Sequence, residues 1–469
     1  MKFNLKFYDI SAYFNLQSNW LPLLKKFLIT FHTFEVFKLS KMTIFKILEN
    51  SFTHLTKIQS VSIPFQICGF DIIGSSSTGS GKTLAFLIPS IEFLHTTKWK
   101  SSLGTAIIII SPTRELAVQT YYIFKDFSTI HQYRYGLMIG GSNKKSETEK
   151  VSTGLDIAIC TPGRLLDHLN TNKNFKFHNL QILIIDEADR CLEVGFEDEI
   201  KNILILIPKK KQTIMFSATQ TKSIKNLTNI TFISKPIFIG EYYKISNSRN
   251  QTNQGFVITN QDNKFLSLIT FLKKNFNKKH IVFFSSCNEV KYYTLVSKIL
   301  NIEVIELHGK QKQYKRIANF FKFCKAKNSV LFSTDVSARG LDFPLVDWII
   351  QFSPPFDSKE YIHRIGRTSR GIKNQGSSVI FIYPFEIGYL KYLENKQVKL
   401  FEYKMDMSNF KVFQSKISKL IIKYPFLNKI AKDAFFSYLK SYKNYPIKSI
   451  FNAKNLNLEL ISKNFGILN

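Results

Sequence analysis

Short apolar runs alternate with longer helical stretches from about Phe34 to about Leu393, and this alternation constrains the fold more than any other feature. In the first half the strand candidates are Asp71–Gly74, Ala106–Ser111, Asp156–Thr161, Leu180–Asp186 and Thr213–Ser217. Helical stretches such as Thr83–Leu94 and Glu115–Phe127 lie between them. Continuous runs of β-formers belong in strands buried on both faces. A strand followed by a helix, repeated, is the rhythm of a parallel sheet covered by helices, so the fold class is α/β. A polar stretch, Lys244 to Gln254, then reads as a linker. The rhythm restarts with candidates His280–Ser285, Val304–Leu307, Val330–Thr334, Trp348–Phe352 and Ser378–Tyr383. Two tandem α/β domains are expected, over 34–243 and 255–395, behind an N-terminal flank at 1–33. From about Lys396 the strand pattern is lost. Ala431–Tyr442 carries Ala434, Phe435, Tyr438, Leu439 and Tyr442 at helical spacing, with Lys432, Lys440 and Lys443 on the other side. A small helical extension over 396–469, packed on the second domain, is expected.

The chain has 469 residues, enough for two or three buried cores. Hydrophobic residues make up 44% and charged residues 21%, which excludes a disordered chain. No apolar run has the length to span a bilayer, and the first residues do not read as a secretory signal. Lys and Arg number 65 against 34 Asp and Glu, a formal charge of +31. Such an excess favours a polyanionic partner, most often nucleic acid. An AT-rich genome also enriches Lys, Asn, Ile and Phe, and both causes contribute. The five cysteines, Cys68, Cys160, Cys191, Cys287 and Cys324, form no CxxC pair. A disulfide framework or zinc site is therefore not expected, and a reducing compartment is.

Two constellations carry chemistry. The strand candidate Asp71–Gly74 runs through Ser75, Ser76, Ser77, Thr78, Gly79, Ser80 and Gly81 into a helix that begins near Lys82 and Thr83. Glycines let backbone N–H groups approach phosphate oxygens, and a helix N-terminus adds favourable partial charge. Lys82 would neutralise the outer phosphates, and the Thr83 hydroxyl would ligate magnesium. The strict P-loop pattern has Gly where Ser76 stands, and a Gly/Ser-rich turn before a helix is the bland alternative. The second constellation is Asp186-Glu187-Ala188-Asp189 at the end of the apolar run Ile182–Ile185. Asp186 at a strand terminus can hold magnesium, partly through water, while Glu187 can orient or deprotonate an attacking water. Its bland alternative is a surface acidic turn, which rarely follows four apolar β-formers.

With these residues in place the sequence resembles the DEAD-box RNA helicases over nearly its whole length. Asp186-Glu187-Ala188-Asp189 is that family's signature. The resemblance implies two tandem RecA-like domains with parallel sheets, ATP as the nucleotide with Mg²⁺, and RNA as the partner. Phe34, Phe52 and Lys57 with Gln59 resemble the adenine-reading segment, in which Gln59 would bond the adenine edge and Phe34 would pack on the ring. Ser111, Pro112, Thr113 and Arg114, then Gly140-Gly141, then Thr161 and Arg164 resemble the RNA-backbone contacts of the first domain. Ser217-Ala218-Thr219 resembles the segment coupling hydrolysis to strand separation, a role shared by Asp189, His363 and Arg364. In the second domain Phe283–Ser285 is similar to the opening strand motif, and His308-Gly309 with Gln313 and Arg316 to an RNA-facing one. Ser333-Thr334-Asp335 through Gly340, Leu341 and Asp342 is similar to the motif touching RNA and nucleotide. The segment His363 to Arg370 resembles the arginine-finger segment, with Arg367 and Arg370 supplying charge to the transferring phosphoryl group. Contacts of this kind go to sugar and phosphate and carry little sequence information. The 2′-hydroxyl and A-form shape would tell RNA from DNA.

Gly163–Leu169, Gln212–Gln220, Val282–Tyr293, Phe320–Cys324, Lys432–Tyr442 and Ile450–Asn452 go beyond the common motifs. They resemble the nucleolar, Has-type subgroup that assembles ribosomal subunits from precursor rRNA. That implies a helicase acting on pre-ribosomal particles in a nucleolus, and a monomer is expected; the skewed composition suggests a reduced, AT-rich genome, of a parasite nucleus or a remnant endosymbiont nucleus. Three other readings stay open: an ATP-gated RNA clamp in which unwinding is secondary, a DEAD-box helicase of another RNA pathway, and a DNA helicase or different P-loop NTPase.

Overall fold

The computed structural model describes residues 32–75, 80–217, 222–240, 253–335, 341, 343, 346–368, 376–404, 418–419, 421 and 423–467. These form two compact units divided between Tyr242 and Tyr243. Ser77, Thr78, Gly79, Ala218, Thr219, Gly340, Asp342 and Arg370, with most of the expected flank and linker, lie outside the described residues.

The first unit is a seven-stranded parallel sheet in the order β3-β4-β2-β5-β6-β1-β7. Its strands are β1 (Ile72–Ser75), β2 (Ile107–Ile110), β3 (Tyr135–Met138), β4 (Ile157–Cys160), β5 (Ile182–Ile185), β6 (Gln212–Ser217) and β7 (Ile237–Ile239). Its helices are α1 (Lys41–Glu49), α2 (Lys57–Ile67), α3 (Lys82–Thr96), α4 (Arg114–His131), α5 (Lys144–Ser152), α6 (Pro162–Thr171), α7 (Ala188–Glu193), α8 (Glu197–Leu206) and α9 (Lys222–Thr231). Four consecutive isoleucines make β2, and all four are fully buried. Side chains alternate between the faces of a strand, so such burial requires cover on both sides of the sheet. Helix starts are set by local chemistry: Thr113 accepts from the Leu116 amide at 3.2 Å to cap α4, and Pro162 opens α6.

The second unit repeats the plan in the order β10-β11-β9-β12-β13-β8-β14, again parallel. Its strands are β8 (Asn253–Ile258), β9 (Lys279–Phe284), β10 (Val304–Leu307), β11 (Ser329–Thr334), β12 (Trp348–Gln351), β13 (Ser377–Ile382) and β14 (Phe401–Glu402). Its helices are α10 (Lys264–Lys274), α11 (Cys287–Ile299), α12 (Gln313–Lys325), α13 (Ser358–Ile365), α14 (Gly388–Asn395), α15 (Pro425–Lys443) and α16 (Leu458–Asn464). Ile281 and Phe283 of β9 enter one apolar cluster while Val282 and Phe284 enter another, so this sheet too is covered on both faces.

Two expectations change here. Asn253 and Gln254, taken as linker, begin β8, because their backbone pairs with β13 at the register Asn253↔Ser377. The region after Lys396 also keeps one short strand, β14, which extends the sheet edge beside β8.

The C-terminal helices pack on the second unit as expected. The α15 residues Leu427, Ile430, Ala431, Ala434, Tyr438 and Tyr442 share one apolar cluster with α10, α11 and β13. The Phe465 ring lies 5.4 Å from Tyr293, 5.7 Å from Tyr292 and 6.0 Å from Tyr438, centre to centre. Asn464 Nδ2 donates to the Tyr293 hydroxyl at 3.2 Å, while its Oδ1 accepts from the Phe265 amide at 2.9 Å. Beneath this face Lys264 is buried, its ammonium 4.3 Å from the Tyr383 ring centre. Burial pushes its pKa down, while Glu386 and Glu289 oppose that shift. Glu386 in turn accepts from the Tyr442 hydroxyl at 2.7 Å. Truncating Phe465 removes a ring from a filled aromatic cluster. Phe465→Ala is expected to lower the stability of the second unit by about 3–5 kcal/mol, read from chemical denaturation.

Candidate functional site

Every strand of a parallel sheet ends on the same edge, and ligands bind at that edge. In the first unit the register brings Ile110, Met138, Cys160 and Ile185 level with one another. The residues that follow them therefore emerge together: Ser111–Arg114 after β2, Ile139–Ser142 after β3, Thr161–Arg164 after β4 and Asp186–Asp189 after β5. Ser217 closes β6 beside Ser75 of β1, where the phosphate-loop segment begins.

At the nucleotide end, Gly81 caps α3 with φ +89°, a conformation that favours glycine. A Cβ there would also come 2.5 Å from Gln59 Nε2. Gln59 is buried on the first turn of α2, where its Oε1 accepts from the Thr56 amide at 2.9 Å and its Nε2 donates to the Gly81 carbonyl at 3.0 Å. The residue expected to read adenine thus holds Gly81, the last residue of the expected phosphate loop. Lys57, beside it, is exposed. Phe34 is 3% exposed and belongs to the core, so its ring offers no open face to a base. Phe52, at 38%, is the exposed ring of that segment. Glu92 of α3 ties the segment down, accepting from the Ser40 amide at 3.0 Å and the Ser40 hydroxyl at 2.8 Å. That tie was not anticipated from sequence, because a lone helical Glu gives no local signal of a partner so distant in the chain.

Lys82 and Asp186 are both buried and close enough to interact. Burial pushes the Asp186 carboxyl up to about 6; Lys82 opposes this, and the neighbouring Glu187 and Asp189 carboxylates add to it. Glu187 sits at φ +46°, a left-handed conformation that a non-glycine residue adopts at some cost, and its amide donates to Asp186 Oδ1 at 2.9 Å. Thr83 follows Lys82 on the first turn of α3, and Ser80 precedes Gly81.

At the expected RNA-facing end, Arg114 lies against the glycine pair: a Cβ on Gly141 would come 2.6 Å from its Nη1. Arg164 Nε donates to the Ile139 carbonyl and Nη2 to the Ser142 carbonyl, both at 3.1 Å. Thr161 is the N-cap residue of α6. Ser111 Oγ is buried with no hydrogen-bond partner among the described residues. Pro112 separates it from the cap of α4.

In the second unit the expected residues again follow strand ends. Gly309 comes after β10 and Thr334 ends β11, while Arg316 lies on the first turn of α12. Arg364 of α13 is buried and grips Asp335 with Nε and Nη2, each at 2.6 Å, and donates Nη1 to the Ser353 carbonyl at 2.7 Å. Its guanidinium also lies 4.9 Å from the Phe283 ring centre. Asp335 and burial thus give Arg364 a role inside its own unit. Arg367 is buried too and donates to the Leu341 carbonyl. His363 shares helix α13 with Arg364.

Comparison with known proteins accords with this geometry. Residues 56–227 match the DEAD/DEAH box helicase family, residues 263–371 the helicase conserved C-terminal domain, and residues 424–469 the ATP-dependent rRNA helicase SPB4-like C-terminal extension. The chain is 47% identical over 435 residues to ATP-dependent RNA helicase HAS1 of Saccharomyces cerevisiae, covering 92% of this chain and 86% of that one. It is 46% identical to ATP-dependent RNA helicase DDX18 of Homo sapiens, over 90% of this chain and 63% of that one. Among solved structures it resembles the DEAD-box helicase Mss116 bound to single-stranded RNA and UDP-BeF, with a TM-score of 0.79 and 29% identity. That likeness covers 92% of this chain and 90% of that one. On the family models, the identity to these relatives and the two parallel sheets, the chain belongs to the DEAD-box family and is an ATP-dependent RNA helicase.

Proposed function

We propose that this helicase remodels precursor rRNA in pre-ribosomal particles during assembly of ribosomal subunits, in a nucleolus and as a monomer. The observation that carries the reading is the C-terminal extension. Residues 424–469 match an extension described for rRNA helicases, and the same helices are built into the core of the second unit. Crosslinking the protein to RNA in cells and sequencing the bound fragments is expected to return mainly precursor rRNA; reads dominated by messenger RNA would refute the assignment.

In this reading Lys82 and the backbone from Ser77 to Gly81 hold the phosphates, and Glu187 orients the attacking water. Arg367 and Arg370 stabilise charge on the transferring group, with Gly340 and Asp342 contributing to the nucleotide. Ser217, Ala218, Thr219, Asp189, His363 and Arg364 couple turnover to RNA. Ser111, Pro112, Thr113, Arg114, Gly141, Thr161 and Arg164 of the first unit, and Gly309, Arg316 and Thr334 of the second, contact RNA. Thr83 and Asp186 fit a magnesium ion, because a hydroxyl and a desolvated carboxylate crowded by two others are hard oxygen donors with excess negative charge. Among the described residues no larger cluster of metal-binding side chains forms. Magnesium keeps several waters and shares its shell with substrate phosphates. When bound, the ion would neutralise developing charge on the phosphate oxygens.

Substitution at the two chemical centres tests the hydrolytic part. Lys82→Ala and Glu187→Gln are each expected to lower RNA-stimulated ATP turnover by at least about a hundredfold. Turnover equal to wild type in both would sink the mechanism. Gln59→Ala is expected to lower the preference for ATP over GTP by roughly tenfold or more in kcat/KM, since the site would lose the side-chain amide proposed to meet the base edge. An unchanged ratio would remove Gln59 from base recognition and leave it the loop-holding role seen here.

A further inference from the structure

The loop Ile139–Ser142 depends on one buried carboxylate. Glu147, on α5, accepts through Oε1 from the Ile139 amide at 3.3 Å and from the Ser142 hydroxyl. Both ends of the loop are thus held by a single oxygen. Its Oε2 lies 3.1 Å from His168 Nε2 and 3.5 Å from Arg164 Nε. Arg164 closes the circuit by donating to the carbonyls of the same two loop residues. Burial works against charge on Glu147, but His168, Ser142, Arg164 and the Ile139 amide together hold its carboxyl below the usual carboxylate range. The group is therefore an ionised, multiply bonded centre and not a neutral filler.

His168 is fully buried on α6, one turn beyond Arg164. Its bond to Glu147 uses Nε2, while Nδ1 has no partner among the described residues. The imidazole is thereby fixed as the donor to Glu147. With Nε and Nη2 of Arg164 held by carbonyls, the plane of that guanidinium is set, and Arg114 lies against Gly140 and Gly141 of the same loop. A guanidinium whose plane is preset loses less freedom when it meets a phosphate.

We propose that Glu147 and His168 are positioning residues for RNA, fixing the Gly140–Gly141 loop and the Arg164 guanidinium in the geometry that receives the RNA backbone. The proposal rests on the reading of Gly141 and Arg164 as RNA contacts. The test is steady-state ATPase of the full chain against a polyuridylate RNA probe, with direct RNA binding and thermal unfolding of each variant. Glu147→Gln and His168→Leu are expected to raise the RNA concentration for half-maximal stimulation roughly tenfold, as expected on losing a charge-assisted hydrogen bond. Half-saturation by ATP and turnover at saturating RNA should stay within about twofold. His168→Gln, which keeps a donor facing Glu147, should recover most of the RNA response. Arg164→Ala separates the two claims. If it raises the RNA requirement while Glu147→Gln and His168→Leu do not, the positioning role is overturned and the RNA reading survives. If it leaves the RNA requirement unchanged, the RNA reading itself falls. Equal losses in ATP affinity, turnover and Tm for Glu147→Gln and His168→Leu, without rescue by His168→Gln, would show a structural role only and overturn the proposal.

Discussion

Uniform strand direction is the constraint on which the rest of this molecule depends. The fourteen strands among the described residues all run parallel within their two sheets, so each sheet has one edge where every such strand ends. Residues far apart in sequence, such as Ser111, Thr161 and Asp186, become neighbours at that edge without any special folding device. Main-chain bonds across the strands fix the level: Asp186 donates its amide to Ile110, Ser111 to Cys160, and Thr161 to Met138. The chemistry is thus placed by the sheet, and the loops need only supply the right side chains.

The parts legible in the sequence are those set by strong local signals. The all-isoleucine β2 and the runs of β5 and β9 stand out because strands buried on both faces must be continuously apolar. The strands not foreseen lie at sheet edges or beside them. Tyr135–Met138 alternates half-buried and buried residues and contains Gly136, and β8 opens with Asn253 and Gln254. Asn253 is exposed, while the buried Gln254 accepts a hydrogen bond from the Tyr361 hydroxyl at 3.0 Å, so both polar side chains are tolerated and the apolar sequence pattern fades.

The site divides in the same way. The phosphate-loop and acidic residues carry a pattern because their backbone geometry demands particular residues, such as glycine at φ +89° in Gly81. Partnerships between segments carry none. That Gln59 bonds the Gly81 carbonyl, that Glu92 holds Ser40, and that Glu147 meets His168 follow from packing alone. Likewise Phe34 looks like a stacking ring in sequence and turns out to be core, because burial is a property of the neighbours and not of the residue.

The buried Lys264, Glu386 and Tyr442 give the C-terminal helices a meaning for how the chain can be cut. One apolar cluster takes in residues from Val257 to Phe465, and the buried Lys264 and Glu386 share that interior with the Tyr442 hydroxyl of α15. Ending the polypeptide after α14 would leave Lys264 and Glu386 half uncovered beside a sheet of bare aromatic rings, a surface prone to self-association. The interior of the second half therefore closes only at Phe465, well past the last strand of its sheet.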